Sequence, residues 1–160
     1  MQVFALPIGA IACVIVAALW IYCTPVTINP VANPTLLILC LISLIPVHEL
    51  AHALIHPGLG LSRQTVIGFW PSRLIAYAHF DGKLSRERFL MILAMPVVVL
   101  SLLPLLCCLV LKHGSVTLAF FSSLNMLAAG GDLFGIGLLL WQVPRKATVL
   151  NEGWKTYWKV

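Results

Sequence analysis

Two histidines four residues apart, with a glutamate beside the first, form the run His48-Glu49-Leu50-Ala51-His52. On a helix, side chains four residues apart project from the same face, one turn above the other. Imidazoles so placed can share one zinc ion, with the intervening glutamate positioned to handle the proton of a metal-bound water. The chain has five acids, Glu49, Asp81, Glu87, Asp132 and Glu152, and two of them, Glu49 and Asp132, fall inside apolar runs. An unpaired acid at the centre of a membrane helix costs about 2.5–3.5 kcal/mol on insertion scales, so each requires a partner. One dication held by His48, His52 and Asp132 meets that requirement. It would leave a coordination position open, as catalytic rather than structural zinc sites do. Glu49 lies about 100° round the helix from His48, off the metal, where it can take a proton from the bound water and pass it to the leaving amine. Asn125 precedes Asp132 by seven residues, two helical turns, and shares its face. Two readings of it stay open: a group that binds the substrate backbone or the oxyanion, and a hydrogen-bonding contact between helices. His56 continues the row of histidines, but it lies about 12 Å along the axis from His48, too far to share an ion with it. Pro57 also disfavours helical geometry at His56, so an interfacial histidine is expected there.

The elements that must position these groups are apolar. Of 160 residues, 61% are hydrophobic and 9% charged, and the mean hydropathy is +1.01. Soluble domains carry about 25% charged residues, so the expected class is an all-α integral membrane protein with about four transmembrane helices. It forms a single domain over residues 1–160, with spans at about 3–23, 35–56, 89–111 and 115–143. The first span opens without a basic stretch or a small-residue cleavage site and reads as retained. Trp20 and Tyr22 at its end fit an interfacial aromatic belt. Thr24–Pro34, with three prolines and two asparagines, reads as a loop. Pro46 bends the second span, Pro96 and Pro104 the third, and glycines 130, 131, 135 and 137 in the fourth allow close helix approach. The five cysteines lie in or beside apolar runs without a Cys-x-x-Cys pair and read as small buried hydrophobes.

Residues 57–88 form a polar insertion between the second and third spans. Thr65–Trp70 and Leu74–Phe80 flank Pro71-Ser72-Arg73 and are rich in β-branched and aromatic residues. A short β-hairpin and a plain connecting loop are both open readings. A hairpin would offer an edge to an extended substrate. Asp81-Gly82 marks a turn, Ser85 an N-cap, and Lys112-His113-Gly114 a further turn. The tail, 144–160, reads as an interfacial segment with modest helical content. Lys and Arg cluster in the insertion and the tail. This predicts a multi-pass cell-membrane protein with both termini, the insertion and the tail on the cytoplasmic side. It also argues against nucleic acid and for the lipid bilayer as partner.

His48-Glu49-Leu50-Ala51-His52, Asn125 and Gly130-Gly131-Asp132 together resemble a family of small integral-membrane zincin peptidases, similar to the site-2 proteases, from about the second span to the tail. The resemblance implies one zinc ion with His48, His52 and Asp132 as ligands, Glu49 as acid/base and Asn125 near the substrate. The expected function is hydrolysis of peptide bonds in a membrane-associated protein or peptide. The alternatives are a non-catalytic zinc-binding membrane protein, and a metal-free scaffold whose buried polar groups join helices. Oligomeric state, substrate and scissile bond are not legible in the sequence.

Overall fold

Long uninterrupted apolar runs leave the backbone no partner but itself, and in lipid that selects helices. The computed structural model describes residues 2–24, 34–73, 75–152 and 155–160. It contains α1 (Gln2–Cys23), α2 (Pro34–Ile55), β1 (Thr65–Trp70), β2 (Ile75–Phe80), β3 (Lys83–Ser85), α3 (Arg86–Pro96), α4 (Leu103–Leu111), α5 (Val116–Ala128), α6 (Gly130–Gln142), β4 (Thr148–Glu152) and β5 (Lys155–Lys159). Passages long and apolar enough to cross a membrane are Phe4–Cys23, Pro34–Ile55, Arg86–Leu111 and the bent pair α5–α6. The loop expected after α1 falls largely outside the described residues.

The chain is mostly helical, but two small antiparallel sheets depart from an all-α fold. β1 and β2 pair from Thr65↔Phe80 to Trp70↔Ile75, the hairpin reading of the insertion. In the second sheet the order is β3-β4-β5, so the tail is a β-hairpin and not helical. Its β-branched and aromatic residues, Thr148, Val149, Thr156, Tyr157 and Trp158, suit a pleated surface. Their alternation puts Val149, 1% exposed, against the helices with Leu139, Val143 and Ala147.

Three departures within the helices bear on the site. A π-helical stretch, Val97–Leu102, follows Pro96 within the third passage, where a plain proline bend was expected. The fourth passage is broken by 51° between α5 and α6, with Ala129 outside helical geometry at ψ 5°. Asp132 therefore lies in the first turn of α6, where free N–H groups and the helix dipole favour an anion. Trp20, expected in an interfacial belt, is 1% exposed and packs with Val16, Val97, Met126 and Ala129, while Tyr22 stays exposed. The indole's large apolar area is better used between α1 and α5 than at the interface.

The break is held from the other side by α1. A Cβ at Gly130 would overlap the carbonyl oxygen of Ala5 and come within 2.9 Å of Gly9 Cα. Gly130→Ala must therefore shift the start of α6, and with it Asp132, at a cost of about 1–3 kcal/mol. We expect a lower thermal midpoint and weaker zinc binding in detergent. Gly137→Ala, with open space around it, should match the unmodified protein in both measurements.

Candidate metal centre

The site joins α2 to α6 across the bundle. His48 and His52 stand one turn apart on α2, with ring centroids 4.9 Å apart and planes at 79°. His48 Nε2 is 3.1 Å from Asp132 Oδ2, and His52 Nε2 is 3.4 Å from Asp132 Oδ1. One ligand atom from each of the three residues lies within 4.8 Å of the others.

What faces each imidazole from behind decides what its inner nitrogen can do. His52 Nδ1 is 2.8 Å from the carbonyl of Ile92, which can only accept, so Nδ1 carries the proton. That carbonyl is available because an α-helix would bond it to the N–H of residue 96, and residue 96 is proline. His48 Nδ1 lies 2.9 Å from Asn125 Oδ1. The orientation of the Asn125 amide follows from its other end. Nδ2 donates to the Pro96 carbonyl at 3.0 Å and to Ser101 Oγ at 2.9 Å, and Ser101 donates onward to the Ser122 carbonyl at 2.8 Å. Its oxygen must then face His48, so that ring too is protonated at Nδ1. Both Nε2 lone pairs point inward toward a carboxylate, an arrangement of electron-rich atoms that a dication would neutralise. The donor set fits zinc: two imidazoles and one carboxylate, with room for a fourth ligand.

Glu49 lies beside this centre, lining a half-open cavity of about 210 Å³ together with His52, Asp132 and an apolar wall that includes Leu84, Phe89 and Ile92. Its Oε2 accepts the Ala78 N–H at 2.7 Å. That contact turns the unpaired edge of β2 toward the cavity, because Ala78 directs its N–H away from β1.

Of the five residues singled out in the sequence, His48, His52 and Asp132 converge, Glu49 borders the same cavity, and Asn125 lies behind His48. The substrate-facing reading of Asn125 does not survive its surroundings: the residue is 0% exposed and both ends of its amide are taken. The helix-joining reading describes it. His56 is not interfacial either. It is 2% exposed, with its Nδ1 3.3 Å from Thr65 Oγ1 and its ring against Phe80. Burial lowers its pKa below the usual imidazole value.

The groups missed in the sequence are Ser101 and the carbonyls of Ile92 and Pro96. Pro96, a residue without a donor, and Ser101, a lone hydroxyl in an apolar run, were the available signals. Outer partners of metal-bound histidines are worth about 10- to 100-fold in affinity. Asn125→Ala, and separately Pro96→Ala, which restores a competing N–H for the Ile92 carbonyl, should each weaken zinc binding by about that factor in a competitive chelator titration.

A family model described as "Putative zincin peptidase" matches residues 41–148, about two thirds of the chain. The stretch includes His48, Glu49, His52, Asn125 and Asp132. No curated protein and no solved structure matches. The matched stretch contains the whole His48, His52 and Asp132 cluster that the geometry brings together, and the chain belongs to the zincin peptidase family.

Proposed function

We propose that the protein is a membrane-embedded zinc peptidase that hydrolyses peptide bonds of membrane-associated substrates. The observation that carries this reading is the convergence of His48, His52 and Asp132 on one point with Glu49 on the wall of the same cavity. A site that only stapled helices would have no use for Glu49 and would be closed by a fourth protein ligand.

His48, His52 and Asp132 would hold the ion. Zinc, when bound, polarises the scissile carbonyl and makes water a nucleophile near neutral pH. The remaining work belongs to the chain. Glu49 accepts a proton from the attacking water as the new carbon–oxygen bond forms, then delivers it to the amide nitrogen as the carbon–nitrogen bond breaks. The edge of β2 at Ala76 and Ala78 offers backbone groups to an extended peptide, which could exchange places with Glu49 at the Ala78 N–H.

The orientation follows from topology and charge together. β3 precedes the third passage and β4 follows the fourth, yet the two strands pair. The insertion and the tail therefore share one end of the bundle. All of the ten Lys and Arg residues except Lys112 lie in those two stretches. By the positive-inside rule we place that end, and with four passages the N-terminus, in the cytoplasm. His48 is seven residues, about 10 Å, from the end of α2, so cleavage takes place just inside the membrane on that side.

The test is Glu49→Gln in purified full-length protein. Zinc content should remain at one ion per chain while peptide cleavage falls by about 10²- to 10⁴-fold, the usual range for a lost general base. Undiminished cleavage in that variant would refute the role given to Glu49, and a zinc-loaded protein that cleaves nothing would refute the peptidase reading.

A further inference from the structure

A second carboxamide borders the same cavity, and it comes from the tail. β4 alternates its side chains, and Val149 is buried against the helices. Asn151, two residues on, projects from that same face. It lines the cavity together with His52, Asp132 and Glu49. Its cross-strand neighbour is Thr156, whose hydroxyl donates to Asn151 Oδ1 at 3.1 Å. That bond commits the oxygen and leaves Nδ2, with two N–H donors, as the free end of the amide. Among the described residues Nδ2 has no protein partner.

An uncommitted amide beside a hydrolytic centre has a chemical implication. A carboxamide donates without carrying charge, so it adds no charge to a cavity already bordered by Glu49 and Asp132 and stays a donor at any pH. Its complement is a carbonyl oxygen, which an extended peptide presents at every residue. We propose that Asn151 Nδ2 donates to a backbone carbonyl of the bound peptide next to the scissile bond, so that the C-terminal hairpin supplies a substrate-binding group to the site. Asn151 lies beyond residues 41–148, so the family match does not assign it. The assignment rests on the peptidase reading.

Two variants of the full-length, zinc-loaded protein test it. Asn151→Ala removes the amide, and Asn151→Asp keeps an oxygen for Thr156 while removing both donors. Each should lower kcat/KM for a peptide substrate by about 10- to 100-fold, with zinc content and thermal midpoint unchanged. Binding gives a second readout, independent of turnover. The dissociation constant of a fluorescent peptide for the Glu49→Gln protein should rise when Asn151→Asp is added. Thr156→Val, which only releases the amide, should give a smaller loss. The assignment is overturned if both Asn151 variants cleave and bind peptide as the unmodified protein does, or if their losses track lost zinc or lost fold. Cleavage by the unmodified protein, with both variants unaffected, sinks this assignment alone. A zinc-loaded unmodified protein that cleaves nothing sinks the peptidase reading as well.

Discussion

Placing two imidazoles and a carboxylate among apolar helices is expensive, and much of the architecture follows from meeting that cost. A charge buried at membrane depth needs a counter-charge, and a buried polar atom needs a hydrogen bond. Here the inner atoms face one another and the outer ones face carbonyls. Two buried side-chain atoms among the described residues, Trp20 Nε1 and Ser122 Oγ, have no partner. Neither belongs to a proposed metal ligand. The polar groups around the centre are thus fixed as a set. A rotation of Asn125 would unpair Pro96, Ser101 and His48 together.

Backbone irregularity is concentrated where it supplies those partners. Pro96 deletes one helical donor and so frees the acceptor that His52 uses. The π-helical turn after it accompanies Ser101 facing α5, within reach of Asn125 and the Ser122 carbonyl. The break at Ala129 creates a helix start inside the bundle, and Asp132 occupies its first turn. These are departures from ideal helix that an apolar passage would otherwise avoid, and each lies within two hydrogen bonds of a proposed ligand or in the same turn as one. The glycine contact between α1 and Gly130 gives the first helix a part in the site although it contributes no ligand.

The chemistry was more legible in the sequence than the packing. His48, Glu49 and His52 are readable because a helix turns their spacing directly into a shared face, and Asp132 because an acid is conspicuous in an apolar run. The spans are readable for the same reason. The tail strands were not, since β4 finds its partner β3 some sixty residues upstream, and pairing at that distance leaves little local trace. Trp20 reads as interfacial because it is an aromatic at the end of an apolar span, and His56 because it lies out of reach of an ion on His48 and just before a proline, whereas α5 buries one and the hairpin the other. Carbonyl groups are the least legible of all. Every residue has one, and only the fold decides which remain free. The Ile92 carbonyl could be found only by asking what a proline four residues later withholds.

Asn125 and Asn151 show how burial sorts one chemistry into two roles. A carboxamide that fixes a metal-binding imidazole must be dry and fully bonded, because any loose donor would let the ring turn. Asn125 meets that demand, with both amide ends committed and no exposed surface. A carboxamide that recognises an incoming peptide must keep part of its bonding capacity uncommitted and face a space large enough to admit one. Asn151 has its oxygen tethered by Thr156 and its nitrogen free at the cavity. The sequence offers both as asparagines near apolar segments, and helical spacing from Asp132 puts Asn125 on the face of the acid while leaving its substrate and helix-joining readings open. Spacing reports which face a residue shares. It does not report whether that face opens on a cavity or on another helix, and here the second fact governs the chemistry.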